Sequence, residues 1–340
     1  MQKTRVAING AGRIGRAFLK AALSRDELEI VAINDLGSID NIAYLIKYDT
    51  VYGRAPFEVG VQREKLLVDG KEITFLSESD PAKLPWGEMG VDVVVESTGV
   101  FATYEKAEAH KTAGAKRVVI SAPVKDEPRS DQEATILIGV NDDKLQTCSI
   151  TSNASCTTNA GSPLMQILHE ALGIEKAVLN TVHAYTATQS IVDGPAKKDM
   201  RKGRAAAQNM IPTTTGAAIA TTKAIPDLEG LFDGIAIRVP VPAGSIADIT
   251  FISKRDTSVE EVNEILKKAA REDRWKPVFT TTEEPIVSSD IVGEKYASIA
   301  DLSMTRVVGG NLVKVLAWYD NEMGYTHALI EHVVRLGSYI

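Results

Sequence analysis

Arg5-Val6-Ala7-Ile8-Asn9-Gly10-Ala11-Gly12-Arg13-Ile14-Gly15 joins a short β-prone run to a glycine-spaced turn and then to a helical pattern. Gly10, Gly12 and Gly15 fit G-x-G-x-x-G, a spacing that means little alone. Here it lies between a strand at residues 5–9 and a helix beginning near Arg13, with apolar residues at Ile14, Phe18, Ala21 and Ala22. In that context Gly10 permits the tight turn, Gly12 lets backbone approach a pyrophosphate, and Gly15 lets helix and strand pack closely. The helix N-terminus supplies the anion site. Twenty residues beyond Gly15 (35 − 15 = 20), at the end of a second strand over 29–34, stands Asp35. A carboxylate there accepts from both ribose hydroxyls and repels a 2′-phosphate, so NAD is expected rather than NADP. Ser97-Thr98-Gly99 and Ser121-Ala122-Pro123 end later strands, on the carboxyl edge where such cofactors lie.

Working outward, the first half keeps alternating strands and helices. Helices are expected at 14–24, 39–48 and 104–112, and strands at 92–96, 117–121 and 135–140. A more polar stretch over 58–75 reads as strands turning at Asp69-Gly70. Such alternation implies a parallel, doubly wound sheet of the Rossmann type. The second half changes character. After a helix at 163–172 come long β-branched runs at 177–184, 234–240, 247–253 and 312–319, together with an amphipathic helix at 259–272 and a terminal helix from Thr326. These runs suit a largely antiparallel sheet with helices on one face. The fold expected is α/β: a Rossmann domain over 1–155, then an α+β catalytic domain over 156–320.

The 340 residues are 44% hydrophobic and 24% charged, ordinary for a globular protein. A net charge of −7 with five histidines gives no field favouring nucleic acid or an anionic membrane. Two cysteines fit a reducing compartment rather than a disulfide framework. The N-terminus does not read as a signal peptide and no apolar stretch reaches a membrane span, so a cytoplasmic protein is expected. No metal site is expected.

Ser152-Asn153-Ala154-Ser155-Cys156-Thr157-Thr158-Asn159 carries the chemistry. It follows an alternating run at 147–151 that reads as a strand, and nothing in it would fill a core. A thiol at a strand-to-helix junction has free helix N–H groups nearby, which favour the thiolate. His183 follows Cys156 by 27 residues (183 − 156) and ends the run 178–182. One imidazole can hold the thiol's proton and serve a developing alkoxide. His110, His169, His327 and His332 lie on expected helices and are read as structural, and Cys148 as buried and inert. Lys197, Lys198, Arg201, Lys202 and Arg204 form a basic run, with Lys197 and Lys198 read as part of a solvated loop. Arg238 differs in kind, being a guanidinium inside the apolar strand Ile235-Ala236-Ile237-Arg238-Val239-Pro240, where it demands an anion. Thr213-Thr214-Thr215-Gly216-Ala217-Ala218 offers hydroxyls and N–H groups at a helix start.

With these residues in view, the chain resembles the phosphorylating glyceraldehyde-3-phosphate dehydrogenases over nearly its whole length. The carriers are Asn9–Arg16, Ser152–Asn159, His183-Ala184-Tyr185-Thr186, residues 201–207 with 211–218, Arg238-Val239-Pro240 and Trp318-Tyr319-Asp320-Asn321-Glu322. The resemblance implies an NAD-linked homotetramer of glycolysis or gluconeogenesis, with glyceraldehyde 3-phosphate and inorganic phosphate as substrates. It also implies that a C-terminal helix, about 321–340, completes the cofactor domain. Residue by residue, Cys156 matches the nucleophile and His183 the base. Ser155, Thr157, Thr215 and Gly216 match the attacking-phosphate site. Thr186, Arg201 and Arg238 match residues that hold anions, Arg238 being shared between the two sites. Arg13, Ile14, Asp35, Ser121 and Asn321 match cofactor contacts, Asn321 orienting the carboxamide, and Tyr325 flanks the nicotinamide.

The chain departs from the family pattern in places. Ala160 stands where a second cysteine is frequent, Met323 where an aromatic is common, and Ser79 where an arginine often flanks adenine. Pro242-Ala243-Gly244-Ser245 lacks the usual asparagine-valine, and the loop 126–134 is long. The related erythrose-4-phosphate dehydrogenases share the cysteine motif but depart from His-Ala-Tyr-Thr-Ala-Thr-Gln, kept here at 183–189. Biosynthetic semialdehyde and acyl-phosphate reductases share the two-domain plan and a Cys-His pair, but not a whole-length match. A non-catalytic NAD- or RNA-binding protein is opposed by the intact Cys156, His183, Arg238 and Asn321.

Overall fold

A computed structural model describes residues 3–196 and 199–340, so Lys197 and Lys198 of the basic run lie outside the described residues. The chain divides into two compact units. One comprises Met1–Ile136, Asp142–Ala154 and Leu329–Ile340, the other Leu137–Asn141 and Ser155–Ala328.

The first unit is built on a nine-stranded sheet. The strand Thr4–Asn9 lies at its middle. On one side come Leu28–Asn34 and Lys71–Leu76, and on the other Val93–Glu96, Arg117–Ile120, Ile150–Ser152 and Glu133–Thr135, all parallel. The chain thus winds outward both ways from its first strand, leaving a crevice at the carboxyl ends of Thr4–Asn9 and Val93–Glu96. Lys65–Val68 and Val59–Gln62 extend the edge antiparallel. Asp69 and Gly70, at φ 50° and 75°, make the turn read from the sequence. Ala7, Ala32, Val94 and Val118 pack with Trp86 and Tyr104 in a core that explains the continuous apolar strands.

Two strand expectations are corrected. Of the run expected at 135–140, only Thr135 lies in a strand, Glu133–Thr135, and residues 136–140 do not. The Asn141 carboxamide oxygen accepts from Leu137 N at 2.9 Å, and Val140 N donates to Leu137 O at 3.0 Å, closing a turn through Gly139 at φ 82°. The apolarity of Ile136–Ile138 reflects burial alone. Likewise only Ile150–Ser152 follows as a strand before the cysteine motif. Thr147 and Cys148 instead donate back to Lys144 O, continuing the short helix Asp142–Gln146. Cys148 is buried in that turn. The long loop 126–134 is pinned at both ends: the Asp126 carboxylate accepts from Tyr104 N and Glu105 N, and Arg129 pairs with the buried Glu133.

The second unit holds an eight-stranded sheet, in the order Ile211–Thr214, Phe232–Val239, Ile174–Ala184, Ser245–Ser253, Leu312–Tyr319, Ser298–Asp301 and Phe279–Thr282, with Arg306–Val308 beside Leu312–Tyr319. Its pairs are antiparallel except two. One exception sets the chemistry. Ile174–Ala184 and Phe232–Val239 run parallel, joined by a long crossover that includes the helix Ala217–Ala224, and His183 falls opposite Arg238. The amphipathic helix is Val259–Ala269, capped by Ser258, and the terminal helix is Met323–Gly337. Among the described residues no helix is long and apolar enough to cross a membrane.

Candidate active site

In the first unit the glycines sort by what a side chain would meet. Gly10 adopts φ +99°, and a Cβ there would lie 2.8 Å from Thr98 N. A Cβ on Gly15 would sit 2.0 Å from Gly10 O, so helix and turn touch backbone to backbone. Gly12 is different: nothing lies within 4 Å of its Cβ position, and it begins the helix Arg13–Ala22 without a side-chain cap. It lines a cavity of ≈ 340 Å³ whose walls include Asn9, Asn34, Asp35, Ser79 and Thr98. The Asp35 carboxylate is fixed there by Ala11 N at 2.7 Å and Gly37 N at 2.8 Å. An uncapped helix start beside an open glycine and a positioned carboxylate fits the pyrophosphate and ribose of a dinucleotide. Gly12→Ala is expected to keep the melting temperature but weaken NAD roughly tenfold or more, whereas Gly15→Ala loses both. NAD titration beside thermal melting checks this, and equal melting for both variants would contradict it.

Sequence reasoning missed the side chains that hold these walls. Trp86 Nε1 donates to His110 Nδ1 at 3.0 Å, which leaves the His110 Nε2 proton for Glu96 Oε2 at 3.0 Å. Glu96 Oε2 also accepts from Asn9 Nδ2 at 2.6 Å, and Asn9 Oδ1 from Asn34 Nδ2 at 2.7 Å. Glu96 Oε1 accepts from Thr98 N and Oγ1 at 2.8 and 2.5 Å. Glu96 is thus a wholly buried carboxylate tying three strand ends together. A polar residue closing an apolar strand was its only signal in the sequence. Arg13 turns to Asp49, at 2.7 Å, and stacks over Tyr52. Ile14 is half-buried on the same helix. Ser121, whose N–H donates to Glu96 O, is not among the cavity-lining residues.

In the second unit Cys156 is the first residue of the helix Cys156–Leu172. That helix starts seven residues before its apolar periodicity does (163 − 156). Ser155 caps it through Thr158 N at 3.1 Å, and its first turns bury Thr157, Thr158, Asn159, Ala160, Gly161 and Ser162. Cys156 Sγ lies 3.3 Å from His183 Nε2. Ala184 O accepts from His183 Nδ1 at 2.6 Å and from Arg238 Nη1 at 3.1 Å. In the tautomer whose Nδ1 proton goes to Ala184 O, Nε2 presents its lone pair to the thiol. Arg238 Nη1 is only 2.6 Å from the same Nδ1, a cation pressed against the imidazole.

The N–H groups at the helix start pull Cys156 toward the thiolate as expected, and burial opposes them. Burial pushes the Cys156 thiol up from its ordinary pKa, outweighing Arg238 and the N–H groups of Cys156 and Thr157, which pull it down. Burial, aided by Arg238, lowers His183 to about 3. Burial thus opposes the charged form of both groups, and the helix terminus does not act alone on the thiol.

The remaining candidates make contacts of their own. Thr157 Oγ1 meets Tyr319 OH at 2.9 Å, and Tyr319 OH meets Thr181 Oγ1 at 2.7 Å. The Tyr319 ring stands edge-on to His183, 5.9 Å between centroids, so Tyr319 braces both members of the pair. The sequence motif contained this tyrosine without giving it a task. Thr186 Oγ1 meets Thr188 Oγ1 at 2.8 Å, and Ala217 N donates to Thr215 Oγ1 at 3.2 Å. Gly216 begins the helix Ala217–Ala224 uncapped. Arg201, in the short helix Met200–Gly203, is exposed and pairs with Asp199 at 3.2 Å. No hydrogen bond joins Thr186, Arg201, Thr215 or Gly216 to Arg238 among the described residues. Asn321 is nearly buried, and Tyr325 is buried in the terminal helix.

Known proteins are similar to this chain over nearly its whole length. Residues 4–104 match the family model for the NAD binding domain of glyceraldehyde 3-phosphate dehydrogenase, and residues 155–321 that for its C-terminal domain. The chain is 50% identical over 337 residues to a Streptomyces coelicolor protein named glyceraldehyde-3-phosphate dehydrogenase, covering 98% of each. It is 48% identical over 338 residues to the protein of that name from Geobacillus stearothermophilus, covering 99% of this chain and 98% of that one. A third, from Clostridium pasteurianum, is 48% identical over 332 residues, 96% of each.

Proposed function

The chain belongs to the glyceraldehyde 3-phosphate dehydrogenase family of NAD-dependent oxidoreductases, and from that premise we propose that it converts D-glyceraldehyde 3-phosphate, NAD and inorganic phosphate to 1,3-bisphosphoglycerate and NADH. The observation that most supports this reading is the 3.3 Å approach of Cys156 Sγ to a neutral His183, with Arg238 opposite in the adjoining strand.

His183 Nε2 takes the thiol proton as Sγ bonds to the aldehyde carbon, and the new oxyanion lies near the Cys156 N–H and the imidazolium. Proton return gives the thiohemiacetal. His183 then removes the hydroxyl proton as the carbon gives up hydride and becomes a thioester. NAD, when bound, supplies the hydride acceptor. A phosphate oxygen next attacks the thioester carbon, the C–S bond breaks, and the thiolate of Cys156 leaves to recover its proton. Ser155, Thr157, Thr215, Gly216 and Arg238 hold the attacking phosphate, and Thr186, Arg201 and Arg238 the phosphate of the substrate. Gly10, Gly12, Arg13, Ile14, Gly15, Asp35, Ser121, Asn321 and Tyr325 hold the cofactor. Asp35→Ala is expected to narrow the preference for NAD over NADP by roughly tenfold or more, because the repelled 2′-phosphate loses its opponent. The ratio of kcat/KM values for the two cofactors measures this, and an unchanged ratio would remove Asp35 from the selection.

The same reading makes the protein a cytoplasmic homotetramer of glycolysis or gluconeogenesis. In support, the second unit's sheet exposes Val178, Ile235 and Leu312, an apolar face suited to another copy. Light scattering should give a mass near four chains of 36.7 kDa. The activity itself is tested by steady-state NADH formation with glyceraldehyde 3-phosphate beside erythrose 4-phosphate. Preference for the former supports the reading, and preference for the latter replaces it with the erythrose-4-phosphate reaction.

A further inference from the structure

Among the described residues, the Ser245 hydroxyl joins the base strand to Asn321. Ser245 is 1% exposed, and it opens the strand Ser245–Ser253. Ser245 Oγ accepts from Ala184 N at 3.1 Å and lies 3.1 Å from Asn321 Oδ1. The Ala184 N–H already occupies one Ser245 lone pair, and the serine's own proton needs an acceptor. Only the oxygen end of the Asn321 amide can accept, so the amide is held with Oδ1 inward. A flipped amide would face Ser245 with a second donor and leave the serine proton unmet. Asn321 is 7% exposed, and among the described residues its Nδ2 makes no hydrogen bond. The amide therefore presents an oriented pair of donors that an incoming acceptor can meet.

The backbone places Ser245 by construction. Gly244 precedes it at φ +88°, and a Cβ there would lie 2.5 Å from Ser288 O, so glycine is required. On the other side, Asp320 fixes the turn that carries Asn321. Its carboxylate accepts from Glu322 N at 2.8 Å, Met323 N at 3.0 Å and Gly293 N at 2.8 Å.

We propose that Ser245 is a positioning residue for the cofactor's nicotinamide: by accepting from Ala184 and donating to Asn321 it aims the Asn321 Nδ2 donors at an amide oxygen. The inference rests on the reading that Asn321 meets the nicotinamide carboxamide. Through Ala184, whose carbonyl accepts from His183 and Arg238, the same hydroxyl sets that amide in register with the base.

The test compares NAD with ADP-ribose, which lacks only the nicotinamide, by equilibrium titration of wild type, Ser245→Ala, Asn321→Ala and the double variant. NAD affinity is expected to fall about tenfold in each single variant, as for one lost hydrogen bond, with ADP-ribose affinity unchanged. The double variant should bind NAD no worse than Asn321→Ala, because Ser245 acts through that residue. Ser245→Cys keeps a weak donor in nearly the same volume and should lose less. It also carries the test if the alanine variant does not fold. Equal losses for both ligands, no loss for NAD, or losses that multiply in the double variant would overturn the role of Ser245. An unchanged NAD to ADP-ribose ratio in Asn321→Ala would instead remove Asn321 from the nicotinamide, and the inference with it.

Discussion

Cys156→Ser should lower the rate of NADH formation roughly 10⁴-fold or more while leaving NAD affinity within about twofold of wild type. The hydroxyl that replaces the thiol is far less acidic, and the neutral imidazole 3.3 Å away is too weak a base to ionise it. An oxygen ester would also be a poorer acyl donor to phosphate than a thioester. The variant should lose fast reaction with iodoacetamide as well. The other thiol, Cys148, is 1% exposed, and burial raises its pKa, so it offers no substitute nucleophile. Steady-state rates, NAD titration and thiol counting check the three parts separately. Retention of more than about one part in a hundred of the activity would place the nucleophile elsewhere.

His183→Asn should slow acylation by about 10²–10⁴-fold, the usual range for a positioned general base. The size of the effect should depend on pH. Because His183 is lowered to about 3, it stays unprotonated, and so competent as a base, throughout the range where the protein would be assayed. Its protonation cannot produce an acid limb near neutrality. The thiol is pushed up, so raising the pH supplies thiolate directly and makes the base less necessary. Measured by alkylation of Cys156, the gap between wild type and variant should therefore be widest at low pH and close as the pH rises past the thiol's ionisation. A gap that stays constant from pH 6 to 9 would mean that His183 acts by something other than taking the thiol proton.

Much of the arrangement was legible because its physics is local. Gly10 and Gly15 report backbone contacts that no Cβ could survive, and the buried strands around Ala7, Val94 and Val118 read as continuous apolar runs. Arg238 announced itself as a charge in an apolar strand, and parallel pairing put it opposite His183. What escaped was set at long range. The start of the helix at Cys156 was hidden because its first turns bury threonine, asparagine and glycine rather than aliphatic residues. Residues 136–140 read as a strand because they are apolar, yet the Asn141 carboxamide folds them into a turn. The helix terminus pulls toward the thiolate, but burial opposes it, and burial cannot be read from neighbours in sequence. Glu96, Tyr319 and Ser245 act through partners 87, 162 and 76 residues away, so no local pattern marks them.

The proposed chemistry requires an acyl group on Cys156 that phosphate releases. It is tested most directly by rapid mixing of the enzyme with NAD and glyceraldehyde 3-phosphate, first without phosphate. The account predicts a burst of NADH equal to one per Cys156, then a stall, with steady turnover resuming when inorganic phosphate is added. Sustained NADH formation without phosphate would contradict it, showing that water resolves the thioester and that the anion sites assigned to Arg238 and its neighbours serve another purpose.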